Sequence, residues 1–470
     1  MPFRIVAILL LTLNTSVSAQ IKTHWYLGEW SGALSAFGSN LTLTFTVKDS
    51  WEPKAFLAVP AQGVSQLPAS ECRVSQQNLE LAFSQFGIRF SGQYDGDSLR
   101  GTFSQSGYQF PLSLKQKDLN RFYQTPKAPF PYQARELQFF SLDKRIRFSG
   151  AFTYPKGPIK ACIVLFSGSG AQDRDQRIGD HVPFAFWADT FTRLGYAVLR
   201  VDDRGAGFTI GQSTALEKTR IQDLFDDGKA YVQAMKNQPE SGWSDSSQGL
   251  PIYLMGHSQG AGIAIHLLSQ GVEGVAGAIG LAPWAYSGRT INREQNALSV
   301  APVLDDSTLI ASFLILHDSM VEWVLNTPHF DSQSAQYRAQ TLLDQNPQRK
   351  ELIRAFRKKK IDLAPYLGQQ YVQLSGFMTS FMKHDPSLEL SQIEKPMLWV
   401  QGTADRQVNP QRIEELARLY SNIECQMMTG YNHLLQPCQR CTFDEYFELP
   451  VTVGDKAVQA ILNWLQAQNP

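Results

Sequence analysis

One run of five residues, Gly256-His257-Ser258-Gln259-Gly260, restricts the possible folds more than any other part of the chain. The apolar run Ile252-Tyr253-Leu254-Met255 precedes it, and Ala261-Gly262-Ile263-Ala264-Ile265-His266-Leu267-Leu268, of helix-forming composition, follows it. A G-x-S-x-G turn between strand and helix brings the two backbones so close that Cβ atoms at Gly256 and Gly260 would have no room. Ser258 is then predicted to stand in a strained conformation with its Oγ above the carboxyl edge of a sheet. His257 adjoins it but points elsewhere, as a supporting residue. With 34 glycines in 470 residues a chance match is easy, so the flanking strand and helix carry the inference.

Such a turn needs a sheet around it, and the sequence supplies one. Buried runs at 161–166, 197–201, 252–255, 276–281 and 397–400 alternate with helical stretches. In the stretch 220–236, Ile221, Leu224, Phe225, Tyr231, Val232 and Met235 share one helical face. Strands alternating with helices predict a mostly parallel sheet with helices on both faces. Two opening strands, near 135–142 and 147–153, are close enough to pair as a hairpin. Between Pro283 and Glu394 the alternation stops, and 308–325 and 332–360 read as helices. A helical cap insertion at about 284–394, over the carboxyl edge of the strands, is the expectation. The basic residues Arg354, Arg357, Lys358, Lys359 and Lys360 within it read as a solvated helix face.

Residues 20–117 have a different period. The run 41–47 alternates apolar residues with threonine, and similar short runs recur at 56–59, 79–83, 88–92, 99–104 and 110–114. Turn signals such as Tyr94-Asp95-Gly96-Asp97 separate them. Short strands so spaced predict a small antiparallel all-β domain, a barrel or a sandwich. Residues 118–132, with Pro126, Pro129 and Pro131, read as a linker to the second domain at 133–470. The first 19 residues hold Arg4, an apolar core at 5–13 and the small residues Val17-Ser18-Ala19. That is the pattern of a secretory signal peptide cleaved after Ala19, and its apolar run is short of the ~20 residues a bilayer span needs. With no other span expected, the reading is a soluble periplasmic or secreted protein without stable membrane insertion.

Lys+Arg and Asp+Glu both number 43, so no net field draws the chain to nucleic acid or an anionic membrane. Five cysteines are too few for a disulfide scaffold. Cys438-Gln439-Arg440-Cys441 could be half a zinc site, but no second Cys/His pair stands at ligand spacing. A local disulfide using Cys438 or Cys441, with Cys425 as another partner, is favoured in an oxidising compartment. Cys162 lies in an apolar run and reads as a buried small hydrophobe.

A serine hydroxyl attacks poorly at neutral pH unless a base takes its proton, and the base needs a carboxylate to orient it. After the strand at 397–400, the segment Gln401-Gly402-Thr403-Ala404-Asp405 puts Asp405 in a loop at the strand's carboxyl end. After the run 424–428, Thr429-Gly430-Tyr431-Asn432-His433 does the same for His433. The order serine, acid, histidine fits this architecture. Of eight histidines, His24, His181, His266, His317, His329 and His384 lack that context. Backbone donors for an oxyanion are expected from Gln259 N–H and from the loop Ser167-Gly168-Ser169-Gly170. Ser169 N–H is the first choice there, with Gly168 and Gly170 allowing close approach. That loop lacks a dinucleotide fingerprint and a P-loop lysine, so no cofactor and no metal are implied.

From about residue 132 onward the chain resembles the α/β-hydrolases of the bacterial esterase group related to dienelactone hydrolases and serine aminopeptidases. The resemblance rests on residues 167–175, on Asp202-Asp203-Arg204-Gly205, on residues 256–260, on Asp405 and His433, and on Phe381-Met382-Lys383-His384-Asp385-Pro386 at the cap's end. Phe208 and Thr209 stand where the family usually has a serine, and Gln259 where an acidic residue is more frequent. Residues 28–32 and 99–105 resemble the β accessory domain that precedes such hydrolases in exported bacterial proteins. The resemblance implies an α/β-hydrolase fold and an exported serine hydrolase acting on a small-molecule acyl ester. A serine peptidase and a non-catalytic glycan- or lipid-binding protein are the alternatives. Asp173, Arg174, Asp175, Asp203 and Arg204 are expected to brace the loops as an ion-pair network.

Overall fold

The computed structural model describes residues 25–468 except 27, 37–38, 49–52, 60–61, 63, 76, 106, 117–123, 180, 212–218, 244–248, 328, 360 and 373–375. The segment read as a signal peptide lies outside the described residues, as do 118–123 of the expected linker. Contacts divide the chain into two compact units, residues 1–56 with 69–117, and residues 57–68 with 118–470.

The first unit holds most of a nine-stranded sheet built from β1 (Gly28–Ala36), β2 (Ser39–Lys48), β3 (Lys54–Val59), β4 (Val64–Pro68), β5 (Glu71–Ser75), β6 (Asn78–Phe83), β7 (Ile88–Tyr94), β8 (Ser98–Gln105) and β9 (Tyr108–Gln116). Its order is β4-β3-β2-β1-β9-β8-β7-β6-β5. β2 and β7 lie four strands apart, roughly 19 Å on a flat sheet at the usual strand spacing. Yet the rings of Phe45 on β2 and Phe90 on β7 are 5.0 Å apart. The sheet therefore rolls around its own apolar face, which buries Trp30, Leu43, Phe45, Leu81, Phe90 and Leu114. This is the barrel-like form of the antiparallel all-β domain.

The second unit has the α/β-hydrolase fold. Its strands are β10 (Gln133–Phe140), β11 (Ile146–Tyr154), β12 (Cys162–Phe166), β13 (Ala197–Val201), β14 (Ile210–Gly211), β15 (Ile252–His257), β16 (Val275–Leu281), β17 (Met397–Gly402) and β18 (Ile423–Met428). They run in the order β10-β11-β13-β12-β15-β16-β17-β18, with β14 paired to β11. β10 and β11 form an antiparallel hairpin, β11 joins β13 antiparallel, and every pair from β13 to β18 is parallel. β12 and β15 are buried at every residue, as strands covered on both faces must be. This is why they read as continuous apolar runs. Each fully buried Leu, Ile or Val contributes roughly 1.5–3 kcal/mol. The register sets Phe166 beside Gly256 and His257 beside Leu281, so the loop after β12 and the turn after β15 leave the sheet side by side.

Helices α1 (Pro183–Arg193), α2 (Ile221–Lys236) and α3 (Gln259–Ser269) cover the sheet with α10 (Pro410–Ala417) and α11 (Asp455–Gln468). Between β16 and β17 the described residues include six α-helices: α4 (Gly288–Val300), α5 (Ser307–Asn326), α6 (Ser332–Asp344), α7 (Arg349–Lys358), α8 (Leu363–Val372) and α9 (Gly376–Lys383). The run 332–360 is two helices rather than one, broken around Asn346-Pro347, where proline disfavours helix for the residue before it. The basic face of α7 is exposed at Arg354, Arg357 and Lys358. One helix departs from the expectation that the chain holds no further membrane-length segment. α5 is long and apolar enough to cross a bilayer by length and composition. It buries Phe313, Leu314, Met320, Val321 and Val324, so its apolar length serves packing in the cap.

Candidate active site

The turn after β15 has the geometry its glycines demand. A Cβ on Gly256 would lie 2.2 Å from Gly260 C, and one on Gly260 would lie 2.1 Å from Phe166 O. Ser258 sits at φ 52, ψ −114, a left-handed conformation that costs on the order of 1–3 kcal/mol and must be held by its surroundings. Three backbone bonds hold it: Ser258 N donates to Leu281 O at 2.8 Å, Trp284 N to Ser258 O at 3.0 Å, and Ala261 N to Ser258 O at 3.1 Å. Helix α3 starts at Gln259, so Ser258 Oγ stands at its positive end.

Asp405 and His433 come from consecutive strands, and the close packing of their loops brings them together. Gly402 passes so near that a Cβ would lie 2.2 Å from Tyr431 O, and Ala404 N donates to that oxygen at 3.0 Å. Asn432 is wholly buried and shapes the loop carrying His433, its Oδ1 accepting from Leu434 N and Gln436 N, both at 3.0 Å. Asp405 Oδ2 then lies 2.8 Å from His433 Nδ1, both side chains almost fully buried. Gln401 Nε2 donates to the same oxygen at 2.9 Å, and Gln407 N and Val408 N donate to Oδ1 at 2.7 and 3.0 Å. Burial alone would raise the pKa of Asp405. The His433 charge and hydrogen bond, with the two backbone donors, outweigh burial and hold the carboxyl below its ordinary value. An ionised Asp405 accepting from Nδ1–H leaves the Nε2 lone pair of a neutral imidazole available as a base.

His257 joins the parts. Its Nε2 lies 3.1 Å from His433 O and its Nδ1 lies 2.8 Å from Gln176 Nε2. Because His433 O can only accept, His257 carries its proton on Nε2 and accepts from Gln176 at Nδ1. Burial, and then the nearby His433 charge, lower its pKa to about 3, so it stays neutral. Gln176 Oε1 in turn accepts from Gly168 N at 3.3 Å. One chain of hydrogen bonds therefore links the loop after β12, the elbow and the His433 loop. Gln176 was not among the residues expected from sequence, because nothing in Asp173 to Arg177 marks a glutamine for such a role. Its positive φ of 48 is a backbone property that composition does not show.

Gly168 N–H is thus spent on Gln176, whereas Ser169 N–H and Gln259 N–H enter no hydrogen bond among the described residues. Both residues, with Gly168 and Gly170, line a cavity of about 270 Å³ whose walls include Phe166, Leu224, Tyr231, Phe377 and Met378. Its walls are largely apolar and two unspent N–H donors belong to residues at its edge, as an acyl group and an oxyanion would require.

The expected ion-pair network is present with one exception. Arg174 pairs with Asp202 at 2.8 Å and with Glu136, Arg200 pairs with Asp175, and Arg204 grips Asp227 through two bonds of 2.7 Å. Asp203 has no basic partner among the described residues. It accepts from Ser167 Oγ and, at 3.1 Å, from Gln172 N. Burial drives its pKa up to about 8. Facing the cavity rather than a guanidinium, it holds the loop by hydrogen bonds. Thr209 takes up work where the family usually has serine, its Oγ1 donating to Asp202 O at 2.6 Å and accepting from Ser149 N at 3.0 Å. Cys438 pairs with Cys441 in a disulfide, which leaves Cys425 free along with Cys72 and buried Cys162.

Comparison with known proteins agrees with this architecture. The family model described as serine aminopeptidase, S33, matches residues 176–436, a span that holds Ser258, Asp405 and His433. A monoglyceride lipase of Saccharomyces cerevisiae is 29% identical over 171 residues, covering 33% of this chain and 48% of that protein. The chain thus spans about half the length of that curated relative. Among solved structures, an esterase of Pyrococcus furiosus is 15% identical over 72% of this chain and 92% of its own, with a TM-score of 0.43. A proline iminopeptidase of Mycobacterium smegmatis is 12% identical over 71% and 99%, with a TM-score of 0.42. The matched span exceeds half of the chain and carries the elbow, the acid and the histidine together: this protein belongs to the serine aminopeptidase, S33, family of hydrolases.

Proposed function

We propose that the protein is an exported serine hydrolase that cleaves carboxylic esters through an acyl-enzyme, with Ser258, His433 and Asp405 as its triad. The observation that carries this reading is the buried 2.8 Å bond between Asp405 and His433, on the rim where strained Ser258 stands. His433 Nε2 takes the hydroxyl proton as Ser258 Oγ attacks the acyl carbonyl. Gln259 N–H and Ser169 N–H receive the oxyanion, and His433 returns the proton to the leaving alcohol. Water, deprotonated by the same nitrogen, attacks the acyl-enzyme and releases the carboxylic acid. His257 and Gln176 are positioning residues that keep the three loops in register. The kinship with a monoglyceride lipase supports an ester substrate, and the apolar cavity walls suit an acyl chain.

Fluorophosphonate labelling tests this directly. The wild type is expected to carry one label at Ser258, while an unlabelled yet folded wild type would point to the binding-protein reading. The family's own description favours peptidase activity as a second reading. Turnover of a short-chain nitrophenyl ester against an aminoacyl anilide separates the two. Export is supported by the composition of the first 19 residues and predicts a mature chain beginning at Gln20, which N-terminal sequencing of the secreted protein checks.

A further inference from the structure

Three side chains outside the catalytic rim converge with no part in the chemistry above. His266 projects from α3, the helix that begins next to the elbow. His384 directly follows α9, and Glu389 lies in the short helical segment Pro386–Gln392 that leads into β17. We propose that His266 Nδ1, His384 Nε2 and the Glu389 carboxylate form a binding site for a divalent transition metal, with Zn²⁺ as the cation the donors suit best.

The spacing supports this. Donors held about 2.0–2.1 Å from a tetrahedral zinc ion stand roughly 3.3 Å from one another. Here His266 Nδ1 is 3.0 Å from Glu389 Oε1, and His384 Nε2 is 3.3 Å from the same oxygen. One donor atom from each of the three residues falls within 4.8 Å of the others. Two imidazoles and a carboxylate are a recognised zinc donor set that leaves a fourth position for water.

Orientation is the second argument. His266 and His384 both stand within ion-pair distance of Glu389, but only His266 hydrogen-bonds to it. His384 Nε2 is buried and makes no hydrogen bond, although a carboxylate oxygen lies 3.3 Å away. The two atoms are thus close without forming a hydrogen bond, a spacing that two ligands of one ion share. The surroundings fix the set in place. His266 stacks on Phe225 at 3.8 Å between centroids and His384 meets Trp284 edge-on at 5.4 Å. Ser269 Oγ donates to Glu389 Oε2 at 3.0 Å, the kind of outer contact that orients a metal-binding carboxylate. The three side chains are partly buried, 13%, 19% and 16% exposed. By contrast Cys438, Cys441 and Glu445 also cluster, but both sulfurs are in the disulfide. Glu445 is occupied by the N–H groups of Gln439, Arg440 and Cys441.

An ion there would tie the elbow helix to the foot of the cap. The test uses the full mature chain under non-reducing conditions, stripped with chelator and titrated with ZnCl₂ against a chromogenic zinc indicator. Bound metal is then counted after gel filtration. One zinc per chain is expected, with a rise in Tm of about 2–4 °C at saturation. H384Q and E389Q, each checked for a cooperative melt without metal, should bind at least about 100-fold more weakly and lose the Tm rise. If either variant fails to fold, H266Q takes its place. The proposal is overturned if the wild type retains no zinc, or if wild type and folded variants retain it equally.

Discussion

Two pairs of the same composition differ in what surrounds them. His433 and Asp405 meet at 2.8 Å, and His266 and Glu389 at 3.0 Å, each through the histidine's Nδ1. The first pair is almost wholly buried, its carboxylate held by two backbone N–H groups and Gln401, and the backbone carbonyl of its histidine meets His257, next to Ser258 in the chain. The second is partly open to solvent and has a second imidazole, not a hydroxyl, as its third member. An imidazole–carboxylate contact is therefore not a catalytic signature by itself. The third group decides whether the pair moves a proton or offers a lone pair to an ion.

Disabling the first pair, or the serine it is proposed to serve, should have the largest effects. Ser258→Ala is expected to lower kcat by something on the order of 10⁶ and to abolish fluorophosphonate labelling, with the melting curve retained. Asp405→Asn should cost about 10⁴ in kcat, because an amide cannot select the same imidazole tautomer or stabilise its cation. Steady-state ester kinetics reads both. A kcat for Asp405→Asn within tenfold of wild type would contradict the assigned role. Glu389→Gln, by contrast, should lower the stability of metal-free protein by about 1 kcal/mol, measured in urea.

Acid titration sharpens the comparison further. A free histidine titrates near ~6.5, whereas burial and the His433 charge hold His257 at about 3. The unfolded chain thus binds the extra proton across that window, and stability falls as pH drops from ~6.5 toward 3. His257→Gln should flatten this limb. Asp405 and Glu389 are each held low against the opposing effect of burial, Asp405 by the His433 charge first and Glu389 by its His266 hydrogen bond first. Their contribution is present above the unfolded carboxyl pKa of ~4 and lost as pH falls through their lower folded values. Urea midpoints between pH 7 and 3 in wild type and His257→Gln separate the two windows.

Asp203 has the opposite sign. Burial raises it to about 8, so the native state holds a proton that the unfolded chain releases near ~4. Its stabilising share is full below that value and is lost as pH rises through 8. Asp203→Asn should therefore gain stability over wild type progressively from pH 4 to 8. A gain that shrinks as pH rises would rule this out.

Much of the second unit was legible because its signals are local. The strands β12 and β15 are buried at every residue and β16 at all but one, and they read as apolar runs. The elbow glycines are dictated by contacts below 2.5 Å to any added Cβ. β1 escaped because Gly28-Glu29-Trp30-Ser31-Gly32 lacks β-branched residues. Its place depends on pairing with β2 and β9. Gln176 was invisible for a related reason, since its amide bonds to His257, which is far away in the chain. Asp203 looked like its neighbours in a charged motif, and only the absence of a facing arginine separates it from Asp202.

The sequence by itself determined the element order, the strained serine, and the loops that carry Asp405 and His433, because periodicity and turn chemistry act over a few residues. The tertiary structure alone decided which groups meet. Hydrogen-bond partners are chosen by distance across the sheet rather than along the chain, and that is how His257 came to tie three loops together while His266 and His384 came to share one carboxylate.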